Sequence, residues 1–235
     1  MKVVLNQAEC VAIFCIAVLI VYVSPFFVFR SPKDWDFIFI WDDRSNFVEN
    51  DVLQSSFSLD TIYAMLTMIR INVYEPLAWI LKFAVTKLVG LDSWWVRLVS
   101  VIVHVGAGMV LAKAAAVLLD IDYLLAKLNR SGGVQTDMQQ LQSWSNRHFP
   151  ACCLSAVLFL IHPIHVEVIA WPSAQSYTLA ALFSNLAILV HVQDIDKKLL
   201  KAVTENAKRD EAKDFEVLFG DGITRSKLLS SGMSA

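Results

Sequence analysis

Two short polar clusters carry the residues able to do chemistry. The first is Trp41-Asp42-Asp43-Arg44-Ser45-Asn46-Phe47-Val48-Glu49-Asn50, and the second is His162-Pro163-Ile164-His165-Val166-Glu167-Val168-Ile169-Ala170-Trp171. Asp42 and Asp43 are adjacent, so their side chains diverge in most backbone conformations. One can face a reacting group as a general base while the other holds the loop or a cation. The plainer reading is a solvated acidic loop. His162 and His165 stand three apart and share a face if a helix continues through them, with Glu167 placed to orient either imidazole. Such a cluster can bind a phosphate or a divalent metal, although its spacing is not that of the two-histidine metalloprotease helix. Its plainer reading is a helix end at a membrane interface, where Pro163 stops the turn and the polar groups meet headgroups.

Both clusters sit where an apolar stretch gives way to polar sequence, and ionisable groups next to hydrocarbon are costly enough to suggest function. The chain is 56% apolar with a mean hydropathy of +0.53 and a net charge of −2. Its apolar residues are blocked into runs rather than spread at helical spacing, which predicts an all-α, multi-pass helical membrane protein. No basic patch with interleaved aromatics is present, which argues against a nucleic-acid partner. Cys10, Cys15, Cys152 and Cys153 all fall in apolar stretches, where a thiol acts as a small hydrophobe, so no disulfide framework is expected.

Four spans are expected, at about residues 8–29, 94–112, 151–170 and 173–192. The first has about 22 residues and reaches about 33 Å, enough for the hydrocarbon core. A cleaved signal peptide is its rival, but no A-x-A-like site follows, which favours an uncleaved anchor. Residues 30–93 form a polar loop with one or two interfacial helices. In one, Ser58 caps a helix reaching about Ile69, with Ile62, Met65, Leu66 and Ile69 on one face. The other is 76–89, too short for an untilted span, carrying Lys82 and Lys87 and ended by Gly90. Trp94 and Trp95 suit an aromatic belt, as does Trp171, and Tyr177 and His191 suit helix ends. His104, in mid-span, reads as a hydrogen-bonded packing residue. Residues 120–148 read as a polar connection with its flexible point at Ser131-Gly132-Gly133. All six prolines fall at expected segment edges. The expected membrane domain is therefore residues 1–193, followed by a charged, Ser-rich tail at 194–235 that is soluble or partly disordered.

Seven Lys and Arg lie between Arg30 and Arg97, against thirteen in the N-terminus, residues 113–147 and the tail together, eight of them in the tail. The excess of positive charge predicts a cytosolic N-terminus and a cytosolic tail. Both polar clusters then face the opposite side together. A fifth crossing at 76–89 would separate them.

The two clusters also resemble a family. Trp41-Asp42-Asp43 followed by Asn50-Asp51-Val52 looks like the first luminal loop of the transmembrane and tetratricopeptide-repeat O-mannosyltransferases. Tyr74-Glu75-Pro76-Leu77, then Gly90-Leu91 before Trp94-Trp95, is similar to that family's Tyr-Arg-Pro-Leu segment and its following helix. The run from His162 to Trp171 resembles its most specific motif, and the order and spacing match over about residues 8–193. The resemblance implies a GT-C class glycosyltransferase of the endoplasmic reticulum membrane. Its donor would be dolichyl-phosphate mannose, and its acceptor a Ser or Thr hydroxyl on a secretory-pathway protein. It implies an acidic catalytic residue at Asp42 or Asp43. A leaving lipid phosphate needs positive charge or donors nearby, for which Arg44, Arg70, His162 and His165 are the candidates. Glu49, Glu167 and Trp171 would support them, and a metal requirement stays open. The sequence departs from the family in two places. The family's Arg before Pro-Leu is Glu75, and Ala174-Gln175-Ser176-Tyr177-Thr178 stands where the family often has Arg and then an acidic residue. Two other functions stay open beside transfer. One is a catalytically inactive membrane adaptor, or a fragment that needs a partner. The other is a small transporter or proton relay through His104, His162, His165 and Glu167.

Overall fold

The computed structural model describes residues 7–28, 36–131 and 138–230. Arg30, Pro32, the glycines at 132 and 133 and the last five residues of the tail lie outside them. Within the described residues the protein is all-α apart from one two-stranded ribbon. Three helices are long and apolar enough to cross a membrane, and a bent pair supplies a fourth crossing when its halves count as one. The protein is thus a multi-pass helical membrane protein, as its blocked hydrophobicity predicts.

Helix α1 (Gln7–Val28) is apolar on every side, as a lipid-exposed span requires. Its buried stripe is Cys10, Phe14, Val18 and Tyr22, one residue per turn, while Ile13, Ile16 and Ile20 remain exposed. That stripe packs against α5 (Ser93–Ser131) and α6 (Met138–Leu160) in a core that also takes in Val101, Val105, Ala112, Cys152 and Cys153. The cysteines are small packing residues here.

Several element limits differ from the sequence expectation. Helix α5 does not stop near 112 but continues to Ser131, because 113–131 holds no proline or glycine and is rich in Ala, Leu and Lys. Helix α6 begins at Met138, so most of the expected polar connection is the ends of two helices. Pro150 lies inside α6 rather than at its edge. The expected third span is broken: α6 ends at Leu160, a 3₁₀ turn covers Pro163–His165, and α7 (Val166–Ala170) leaves at 58°. Helix α8 (Gln175–Ser230) runs through the expected boundary at 193/194 without a break. After Pro172 no proline interrupts it, and exposed ion pairs Lys198–Asp194 and Lys201–Glu205 support it at helical spacing where the apolar character fades.

Residues 36–92 fold into a small cap with its own core of Phe37, Phe47, Leu53, Met65, Trp79 and Phe83. Asn50 caps the single turn of α2 (Asp51–Gln54). Ser58 caps α3 (Leu59–Thr67) by accepting from the Thr61 N–H at 3.1 Å. That helix ends before Ile69, because Ile69–Arg70 (β1) instead pairs antiparallel with Val73–Tyr74 (β2). The turn between them is Ile71-Asn72, with φ of 50° and 59°, the twist that a two-residue hairpin demands. Pro76 opens α4 (Pro76–Val89), and Gly90 at φ 89° closes it, at the limits read from sequence.

Candidate functional site

The two polar clusters meet. Trp41 and Trp171 contact edge to face, with ring centroids 5.2 Å apart. Asp43, fully buried, ties the first cluster to Ser173, two residues past the end of the second. Its Oδ1 accepts from the Ser173 N–H at 2.9 Å and from the Ser173 hydroxyl at 2.5 Å, and its Oδ2 accepts from the Ile38 N–H at 2.8 Å. The Asn46 amide donates to the same Ser173 hydroxyl at 3.0 Å. A carboxylate holding three donors in a closed site is a clamp. Asp42, next to it, is half-buried, and its carboxylate accepts no hydrogen bond among the described residues. The backbone separates the two. Arg44–Val48 is a π-helical turn, a form often found at functional sites, and it starts directly after Asp43.

The nearby cations are mostly committed to the fold. Arg70 donates from Nε to the Ser45 carbonyl at 2.7 Å and from Nη2 to the Glu49 carbonyl at 2.8 Å, so it braces the π-turn. Arg44 pairs with Glu49 at 2.6 Å on the exposed side of the same turn. Arg97, buried at the head of α5, donates to the Ala170 carbonyl, the Asp36 carbonyl and the Ser93 hydroxyl. It thereby ties the cap to α5 and to the end of α7. Lys82 is completely buried on α4 and pairs with Glu75 at 2.6 Å. Its ammonium lies 4.3 Å from the Trp79 ring centroid and 5.6 Å from that of Phe47. Burial lowers the Lys82 pKa, and the Glu75, Asp43 and Asp42 carboxylates act against that fall. Glu75, which replaces the cation of the resembled segment, is therefore paired to a cation seven residues further on.

The histidine cluster divides in a similar way. His162 is exposed, and its Nδ1 accepts from the Ile164 N–H at 3.3 Å, capping the turn that Pro163 begins. His165 lies edge to face with Phe159 and tilted against His104, at centroid distances of 4.7 and 5.3 Å, and its Nε2 is buried with no hydrogen-bond partner. Glu167 is exposed and accepts no hydrogen bond from either imidazole. His104 donates from Nε2 to the Leu160 carbonyl at 3.2 Å, and the Tyr22 hydroxyl donates to the same oxygen. That carbonyl ends α6 without a helical partner, so two side chains from other helices satisfy it. The packing role read for His104 is the one found. Among the described residues, no group of three or more His, Cys, Asp or Glu side chains is gathered closely enough to hold a metal ion.

Sequence reasoning missed Ser173, Asn46, Arg97 and the Glu75–Lys82 pair. Only the last left a local signal: an acid and a lysine two helical turns apart, in a helix whose other charged residue is Lys87. Comparison of the chain with family models, with characterised proteins and with solved structures finds no match in any of the three.

Proposed function

We propose that this chain is a GT-C-like glycosyltransferase, or the N-terminal part of one. It would move mannose from dolichyl phosphate to a Ser or Thr hydroxyl of a secretory protein at the lumenal face of the endoplasmic reticulum. One observation carries the reading. The two clusters meet through Trp41 and Trp171, Asp43 is held by Ser173 just past the second cluster, and Asp42, between Trp41 and Asp43, carries an unbonded carboxylate. In this reading Asp42 takes the hydroxyl proton as the oxygen attacks the anomeric carbon, and the lipid phosphate departs from the opposite face. Exposed Arg44 and His162 are the groups able to meet that phosphate. Arg44 would exchange its solvent-screened pair with Glu49 for the ligand.

The test uses purified full-length protein in detergent, dolichyl-phosphate mannose and a threonine peptide. Asp42→Asn is expected to lower transfer by about 10²- to 10⁴-fold with an unchanged melting temperature. Transfer equal to wild type would remove Asp42 as the base.

A second reading, an adaptor or a fragment completed by a partner, draws on the commitment of Arg70, Lys82 and Arg97 to internal partners. It predicts no transfer by the purified chain alone, with activity appearing when a partner is restored.

A further inference from the structure

Beside the clamp lies an open groove of about 520 Å³, walled by Val73, Tyr74, Glu75 and Leu77 on one side and by Tyr177 and Phe183 on the other. Its volume is that of an ordinary ligand pocket. The α8 wall, from Ser176, begins three residues beyond Ser173, which holds Asp43. The other wall, from Val73 to Ala78, contains Glu75, the partner of buried Lys82.

Three features describe its occupant. First, β2 pairs only with β1 among the described residues, so its other edge is free, and Val73 and Tyr74 on that strand line the groove. The two-residue turn makes Arg70 and Val73 the closing pair, so the Tyr74 N–H and C=O point away from β1. An unpaired strand edge is a template for an extended chain. Second, Tyr74 and Tyr177 are 60% and 63% exposed and offer flat apolar faces; the Tyr74 hydroxyl donates to the Leu66 carbonyl at 2.8 Å, which leaves the Tyr177 hydroxyl as the open tip. Third, no cation lines the groove, and the charge of Glu75 is balanced by Lys82 through one carboxylate oxygen. The other oxygen is neither sealed nor bonded. This chemistry suits neutral hydrogen-bonding groups and gives an anionic lipid head no counter-charge.

We infer that this groove binds the acceptor polypeptide as an extended strand along the free edge of β2, with aliphatic or aromatic side chains between Tyr74, Tyr177 and Phe183. This rests on the transfer reading for its role, because the bound strand would present its hydroxyl to Asp42.

The experiment is photo-crosslinking of the full chain in detergent containing phosphatidylcholine. Benzoylphenylalanine replaces Tyr177, or Ile188 on the same helix outside the groove as a control. The probe is a biotinylated nonapeptide of alternating valine and threonine. Light should attach the peptide at position 177 and not at 188. A proline at one alternate set of peptide positions should weaken labelling by about three- to tenfold through the lost N–H donors, and at the other set much less. Equal labelling at 177 and 188, indifference to proline at both sets, or labelling of phosphatidylcholine alone would overturn the inference. Crosslinking without any mannose transfer would defeat the transfer reading and leave a polypeptide groove. Transfer without crosslinking would defeat the groove alone.

Discussion

Asp42 and Asp43 are equivalent on paper and opposite in the fold. Their division depends on Ser173, far away in the chain and brought close only by the packing of the cap on α8. No local pattern encodes that contact, so the sequence predicts that one of the two holds the loop without saying which, and the structure makes Asp43 the clamp and leaves Asp42 unbonded. Asp43→Asn should therefore cost about 1–3 kcal/mol, through charge lost from a buried, fully bonded acceptor. A fall in melting temperature absent from Asp42→Asn would show it, and equal melting of the two variants would refute the division. Arg70 shows the same limit. Its charge marked it as a phosphate ligand, but its hydrogens go to two carbonyls around the π-turn, which sequence periodicity does not announce. The pair of Lys82 and Glu75 permits a sharper experiment. Lys82→Met strands a nearly buried carboxylate and should cost about 3–5 kcal/mol, whereas Lys82→Met with Glu75→Leu should recover most of that stability. Chemical denaturation in detergent reads both. A double variant no better than the single one would mean that the pair is not the cause.

Helix limits fixed by a cap or a special backbone angle were easier to read than those set by fading composition. Ser58, Pro76 and Gly90 mark the limits of α3 and α4 because caps and fixed backbone angles are local chemistry. The far ends of α5 and α8 depended on how long polar but helix-forming sequence stays wound once a span has nucleated it, and composition alone reads such stretches as loop. The break after Leu160 was visible in His162-Pro163, but its consequence was not: the freed carbonyl recruits Tyr22 and His104 and so joins α1, α5 and α6 at one point. The close approach of α5 to that point needs Gly108. A Cβ there would collide with Cδ1 of the Leu160 side chain and lie 2.8 Å from its Cγ. Gly108→Val should therefore cost about 1–3 kcal/mol by overpacking, while Gly106→Ala, where the nearest atom is 3.9 Å away, should be tolerated. Thermal unfolding of both variants in detergent checks this, and equal losses would mean that the helix pair repacks freely.

The cap and the far end of α5 must lie on opposite sides of a membrane if α5 crosses it, whatever the orientation. From Ser93, beside the cap, to Asn129 the helix rises about 54 Å, well beyond a hydrocarbon core of about 30 Å. Asn129-Arg130-Ser131 is the only glycosylation sequon in the chain, and Gln54→Asn would create a second one in the cap, at the exposed end of α2. Only one of the two sequons can then face the lumen. The excess of lysine and arginine away from the cap predicts that it is the engineered one, shown by a glycosidase-sensitive mass shift that requires Gln54→Asn. This result is also what the transfer reading needs, since the joined clusters sit on the cap side with Asp42. A shift at Asn129 alone would put the joined clusters in the cytosol. It would remove lumenal transfer and leave the adaptor and relay readings, with the fold unchanged. Modification at both sites would mean that α5 does not cross at all.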